Sequence, residues 1–183
     1  MMRYFIMAKS SKFIALNIAI LTISDSRSYK NDHSGHYLYS AIKKANHHGH
    51  EHIITPDNTF GIRAKVSQWI ADPNVQVIIT TGGTGFSERD FTPKAIHPLL
   101  EQPIEGFGEL MRLLSIQDIQ TSTIQSRTFA GFSNGCAIFC LPGATNACKL
   151  AWEKILIHQL NAANKPCNFV EHIKEASKNY EFI

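Results

Sequence analysis

The run Val75-Gln-Val-Ile-Ile-Thr80 has almost no polar alternation, and it discharges directly into Thr81-Gly-Gly-Thr-Gly85. Successive side chains of a strand point to opposite faces, so a strand apolar at successive positions must be covered on both sides. Two further runs have the same character, Leu16-Asn-Ile-Ala-Ile-Leu-Thr-Ile23 and Cys136-Ala-Ile-Phe-Cys-Leu141. Segments of helical spacing lie between them. Residues 36–45 carry Tyr37, Leu38, Ala41, Ile42 and Ala45 on one face, with Asp32-His-Ser-Gly35 ahead of them and Gly49 available as a left-handed residue behind. A second helix follows Asn58 or Thr59, carries Ile62, Val66, Trp69 and Ile70, and is broken by Asp72-Pro73-Asn74. Thr92 as cap and Pro93 as first residue open a third. A long helix is expected over 146–160, a short strand over 51–55, and helical or mixed structure over 104–116 and 119–130.

Buried strands alternating with helices predict an α/β fold, a three-layer sandwich around a mostly parallel central sheet. The 183 residues, 44% of them hydrophobic, suit one domain. Residues 1–12 read as a flexible leader, 13–169 as the domain and 170–183 as a peripheral tail. Arg3, Lys9 and Lys12 before the apolar stretch 13–23 imitate a signal peptide. No small-x-small cleavage site follows, however, and the stretch is shorter than the roughly 20 residues of a membrane span. A cytoplasmic protein is expected. The formal charge of +3, without a run of five basic residues, argues against nucleic acid as a partner. Cys136, Cys140, Cys148 and Cys167 form no CxxC pair and read as buried thiols of a reducing compartment. His47, His48, His50 and His52 fall where a helix hands over to a strand, on the rim away from the expected site. They lack cysteine or carboxylate partners at metal-binding spacing.

Right-handed crossovers place the carboxyl ends of parallel strands on one edge, where ligands bind. Four notable loops all follow strands: Ser24-Asp25, Pro56-Asp57, Gly82 to Asp90, and Pro142-Gly143. The glycines of the third let the backbone approach a ligand and turn N–H groups toward it, as a phosphate cradle requires, although a tight turn after a strand would look the same. The loop is neither a Walker A motif nor GxGxxG. Asp57 and Asp90 flank it. Carboxylates beside a phosphate make sense with a divalent cation between them; otherwise each simply caps a helix. Arg112, Ser115, Ser126 and Arg127 could meet anions, a weak signal taken alone.

Several ordered motifs resemble the MoaB/MogA family of molybdenum cofactor biosynthesis proteins. They are Thr81-Gly-Gly-Thr-Gly-Phe-Ser-Glu-Arg-Asp-Phe-Thr-Pro-Lys-Ala95, Gly106-Phe-Gly-Glu-Leu-Met-Arg112, Thr121-Ser-Thr-Ile-Gln-Ser-Arg127 and Leu141-Pro-Gly-Ala-Thr-Asn-Ala147. Leu21-Thr-Ile-Ser-Asp25 and Asp32-His-Ser-Gly35 fit the family's start, and Pro166-Cys-Asn-Phe169 resembles the MoaB branch. The likeness spans residues 14–169. Ala144-Thr-Asn146 departs from the more usual Gly-Ser at that place.

The resemblance implies a molybdopterin-binding fold and adenylylation of molybdopterin by ATP with Mg²⁺, releasing pyrophosphate. The alternative is a protein that binds molybdopterin without activating it. The family's two aspartates map onto Asp57, through a Pro-Asp dipeptide only, and Asp90, through Arg-Asp before Thr-Pro. Both would hold Mg²⁺ or orient the attacking phosphate. Gly82, Gly83 and Gly85 would supply backbone donors, and Thr84 and Thr92 hydroxyls. Ser24, Asp25, Ser115, Pro142 and Gly143 would line the rest. The resemblance also implies a homotrimer or homohexamer, for which Phe129, Phe132 and Phe169 are candidate contact residues.

Overall fold

The computed structural model describes residues 12–174. Six strands form one sheet: β1 (Asn17–Ile23), β2 (His48–Thr55), β3 (Val77–Thr81), β4 (Gln102–Pro103), β5 (Phe129–Ser133) and β6 (Cys136–Leu141). Their spatial order is β2-β1-β3-β6-β5-β4. The first four in that order run parallel, and β5 and β4 complete the sheet antiparallel. The helices are α1 (His33–Lys44), α2 (Thr59–Ala71), α3 (Thr92–Ile96), α4 (Glu105–Ile119) and α5 (Thr145–Ala151). The expected long last helix is α5 continued through a π-helical turn, Trp152–Leu156, to Ile157–Gln159.

The period of two along the strands divides the core into two layers. Ile18, Ile20, Val77, Ile79, Ala137 and Phe139 face Leu38 and Ile42 of α1, Phe107 and Met111 of α4, and Cys148 and Ala151 of α5. Ala19, Leu21, Ile78, Ile138 and Cys140 face Ile62, Val66 and Trp69 of α2, with Ala95 and Ile96 of α3. Every residue of β3 and β6 is buried, as two-sided cover requires. The predicted three-layer, mostly parallel α/β fold is therefore what forms.

Several local expectations give way. Of residues 119–130, expected to be helical or mixed, Phe129 and Ala130 instead open β5, because Phe129 and Phe132 pack into the two opposite core layers. Strand β2 starts at His48 rather than 51, since His48 and Gly49 pair with Asn17 and Ile18. The left-handed residue after α1 is Asn46 (φ 62°), not Gly49. Thr92 does not cap α3: no side-chain cap is present there, and its hydroxyl donates to Gly82 O at 2.8 Å. The core runs on past residue 169, with Val170 and Ile173 fully buried. Residues 1–11 of the leader and 175–183 of the tail lie outside the described residues. Cys136, Cys140 and Cys148 are buried, and burial pushes the first two thiols up to about 12 and the third to about 11. Cys167, by contrast, is exposed.

The segment Asp32-His-Ser-Gly35 is a structural junction. Asp32 caps α1 by accepting from the Gly35 N–H (2.9 Å). Its other oxygen accepts from the Thr22 hydroxyl (2.6 Å) and meets His52 Nε2 at 2.9 Å. Ser34 Oγ donates to Gly143 O (2.9 Å), tying α1 to the loop after β6. A side chain at position 35 would overlap the Asp32 carboxylate and the His52 ring. Burial pushes the Asp32 pKa up, but the bonds from His52, Thr22 and Gly35 outweigh it and hold it at about 2 against the usual 3.8.

The folded-state value is depressed, so this contribution to stability is present above the unfolded pKa and disappears as pH falls toward 2. Asp32→Ala should cost about 3 kcal/mol at neutral pH, through the lost cap and two stranded donors. In urea melts the gap to wild type should narrow between about pH 4 and pH 2. A gap unchanged over that interval would refute the assignment.

Candidate functional site

Strand β1 crosses through α1 to β2 on one side, whereas β3 leads away to β6 on the other. The sheet's switch point therefore lies between the carboxyl ends of β1 and β3, where open α/β sheets take ligands. A cavity of about 540 Å³ opens there. Its lining includes Thr22 to Ser24, Ser26, Arg27, Asp32, Ser34, Thr81 to Gly85, Asp90, Gln125, Ser126 and Pro142 to Ala144. Its volume suits a small-molecule ligand.

The glycine loop is built by close backbone packing. Gly82 has φ 111°, and a Cβ there would overlap the carbonyl oxygen of Ile23 at the end of β1. Its N–H donates to Leu141 O (3.1 Å), and the preceding Thr81 hydroxyl donates to Pro142 O (2.9 Å). The ends of β1, β3 and β6 are thus locked edge to edge. Gly82 was expected to offer its N–H to a ligand, but that donor is spent on Leu141. No hydrogen bond among the described residues uses the N–H groups of Gly83, Thr84 or Gly85, so the free donors of the cradle sit one residue later. Arg127 braces the loop from behind. Its N–H donates to Thr84 O (2.9 Å), and its guanidinium donates to Gly85 O and to Asp90 O (3.0 Å).

The carboxylates stand around this loop. Gly83 has φ 62°, and a Cβ on it would lie 2.7 Å from Asp57 Oδ2; a Cβ on Gly85 would lie 2.9 Å from Asp90 Oδ2. Both acids therefore press against the glycine backbone. The Phe91 N–H donates to Asp57 Oδ1 (3.1 Å), and the Ser87 N–H donates to Asp90 Oδ2 (2.7 Å). The Asp57 N–H donates to Asp25 Oδ1 (3.0 Å). Burial raises the Asp57 pKa. The Phe91 N–H works against this, the charges of Asp90 and Asp25 add to it, and the net shift is upward.

Of the residues singled out in the sequence, Ser24, Gly82, Gly83, Thr84, Gly85, Asp90, Pro142 and Gly143 line the cavity together. Asp57, Asp25 and Thr92 are not part of the lining. Asp25 braces the Asp57 backbone, and Thr92 ties Gly82. Ser115 is not brought to the site: its hydroxyl donates to Met111 O (2.7 Å) within α4. The histidines disperse. His47 is buried and accepts from the Leu16 N–H (3.1 Å), and burial pushes its pKa down to about 4. His52, expected on the far rim, instead meets Asp32 in the cavity wall. Sequence reasoning did not find Arg27, Asp32 or Ser34 as cavity residues, and it weighted Ser126 lightly. The Ser126 hydroxyl is buried in the lining without a hydrogen-bond partner.

A family model described as "Probable molybdopterin binding domain" matches residues 19–162. The chain belongs to the MoaB/MogA family of molybdenum cofactor biosynthesis proteins. It is 49% identical over 166 residues to molybdenum cofactor biosynthesis protein B of Escherichia coli K12, covering 91% of this chain and 98% of that one. A crystal structure of a molybdenum cofactor biosynthesis protein B superposes with a TM-score of 0.78 at 35% identity, covering 80% of this chain and 92% of that one. The tungsten cofactor synthesizing protein MoaB from Pyrococcus furiosus gives a TM-score of 0.71 at 30% identity, with coverages of 78% and 91%. The cavity lining falls within the matched residues.

The raised pKa of Asp57 has a measurable consequence. A carboxylate whose folded pKa exceeds its unfolded one contributes stability that is present below the unfolded pKa and lost as pH rises through the folded one. Asp57→Asn keeps an acceptor for the Phe91 N–H and removes the charge. It should therefore raise Tm relative to wild type at pH 7, and the advantage should vanish below about pH 4. Equal melting temperatures at pH 7 would contradict the electrostatic account.

Proposed function

We propose that this protein acts in molybdenum cofactor biosynthesis in the cytoplasm, binding molybdopterin in the switch-point cavity and adenylylating it with ATP and Mg²⁺. The observation that carries this reading is the pair of carboxylates, Asp57 and Asp90, set against opposite ends of one glycine cradle with open N–H donors. In the proposed reaction the terminal phosphate of molybdopterin attacks the α-phosphorus of ATP, giving adenylyl-molybdopterin and pyrophosphate.

The donor set fits Mg²⁺. Asp57 and Asp90 each give one oxygen to a backbone N–H and keep the other, and their mutual repulsion favours a cation between them. Among the described residues no group of three or more His, Cys, Asp or Glu forms a metal cage. Magnesium typically takes one or two carboxylates and completes its shell with water and substrate phosphates. When bound it would neutralise charge on the phosphoryl groups. The chain's own part is positioning: Gly83, Thr84 and Gly85 offer N–H donors to phosphate oxygens, and Arg127 keeps their loop rigid by holding its carbonyls.

A second reading, molybdopterin binding without chemistry, is favoured by one feature. Asp57 presses on Gly83 but is not part of the cavity lining. Anaerobic incubation with molybdopterin, ATP and Mg²⁺ separates the two through pyrophosphate release. Asp90→Asn should bind molybdopterin and release pyrophosphate about 10²–10³-fold more slowly. An unchanged rate would remove Asp90 from the mechanism. Wild-type binding without pyrophosphate release would establish the second reading.

The assembly is proposed to be a trimer or a dimer of trimers. Phe129 and Phe132, first considered for the contact, are core residues, and Phe169 packs against the core. The exposed apolar surface lies instead on α4, where Leu110, Leu113, Ile116 and Ile119 recur every three residues, with Ile124 beyond. Light scattering at micromolar concentration should give a multiple of the 20.5 kDa chain, and Leu113→Asp should lower it. A monomeric wild type would end this proposal.

A further inference from the structure

Arg27 is a charged residue of the cavity lining to which neither the core of the fold nor the proposed chemistry gives a role. Among the described residues it is the only lysine or arginine of the lining, which otherwise carries two carboxylates, Asp32 and Asp90. A phosphate-bearing ligand brought against two carboxylates with no cation from the chain would be repelled. Arg127 is not part of that lining, and its Nη2 is taken up by the carbonyls of Gly85 and Asp90.

The loop between β1 and α1 holds Arg27 ready. Its Nη1 donates to Asn31 O (3.1 Å). Asn31 is fixed in turn, accepting through its side chain from the N–H (2.7 Å) and hydroxyl (3.3 Å) of Ser28 and donating its own N–H to Ser28 O (3.0 Å). Ser26 is fixed too, its N–H donating to Ser24 Oγ (3.2 Å). One guanidinium bond anchors the side chain, and most of its five donors remain available. Among the described residues no carboxylate forms an ion pair with it. A tethered, unpaired arginine in a cavity wall is arranged for bidentate recognition of phosphate.

We infer that Arg27 receives a terminal phosphate group of the ligand, with the open N–H donors of Gly83 to Gly85 as the other half of the grip and the partnerless Ser126 hydroxyl as a further donor. The inference rests on the molybdopterin reading of this cavity and adds to it the residue that recognises the anionic end of the substrate. Both molybdopterin and ATP present such a group, so the test must tell them apart.

Wild type, Arg27→Ala and Arg27→Lys would be compared by anaerobic equilibrium dialysis against four ligands: molybdopterin, its dephosphorylated form, ATP with Mg²⁺, and adenosine. Wild type should prefer molybdopterin to its dephosphorylated form. Arg27→Ala should weaken molybdopterin binding about tenfold to a hundredfold and leave the dephosphorylated form within about twofold. Arg27→Lys, which keeps the charge without the planar fork, should fall between. A loss confined to ATP relative to adenosine would support the inference and assign the grip to the nucleotide. Equal losses for phosphorylated and dephosphorylated ligands, or no loss in any, would overturn it. If wild type bound neither form of the pterin nor the nucleotide, the reading of the cavity itself would fail, and this inference with it.

Discussion

Gly82 stands where three strand ends meet, and the absence of a side chain there is the constraint on which the site depends. The Ile23 carbonyl of β1 occupies the space a Cβ would need, the Gly82 N–H is held by Leu141 of β6, and its carbonyl accepts the Thr92 hydroxyl of α3. Gly143, just beyond β6, would place a Cβ 3.4 Å from Gly82 Cα. Toward β1 and the loop after β6, backbone meets backbone, with no room for rotamer adjustment. The parallel ladder aligns β1, β3 and β6 to within this one residue. The turn that follows is therefore fixed, and Gly83 to Gly85 leave the sheet in a single direction.

That fixed turn decides where charge can stand. Asp57, from the β2 to α2 connection, and Asp90, from the far end of the loop, press on it from separate elements. Burial raises the proton affinity of Asp57, and the neighbouring charges of Asp90 and Asp25 add to the rise. Arg127 relieves none of it through an ion pair. It binds carbonyl oxygens, including that of Asp90 itself, and serves as a strut. The acids thus keep their negative charge available to a cation, while the arginine that could have neutralised them is committed to holding the loop.

Much of this was legible in the sequence, for identifiable reasons. Apolar runs at 16–23, 75–80 and 136–141 are uniform because both faces of the sheet are covered, and this uniformity marks the strands that carry the site loops. Glycines that must be glycines and a Thr-Pro helix start are local signals, so the loop 81–85 and Asp90 were found. What stayed hidden was set by partners distant in the chain. His48 and His50 read as a connection because the strand character of residues 48–50 comes from pairing with Asn17 and Ile18. Phe129 to Ser133 contains a glycine and no alternation, and becomes a strand only between β4 and β6. Ser115 was assigned to the site through the resemblance, but its hydroxyl is satisfied within α4. Asp32 read as part of a helix entry, and nothing in the local sequence shows that His52 would reach it from β2.

The Asp32-His-Ser-Gly35 junction shows why capping and cavity-building need not be rival explanations for one residue. Asp32 ends the loop that holds Arg27, begins α1, and is gripped by Thr22 of β1 and His52 of β2. Ser34, two residues on, fastens the same helix to Gly143 after β6. A shift of α1 would therefore move the Arg27 loop and the Pro142-Gly143 loop together, on both sides of the glycine cradle. Stability and geometry are coupled here by covalent continuity: the bonds that hold the helix N-terminus in the core also set the spacing of the cavity walls. A substitution at Asp32 that leaves the protein folded should accordingly disturb ligand binding more than an equally destabilising cavity at Val66, which packs between α2 and the sheet in the opposite core layer.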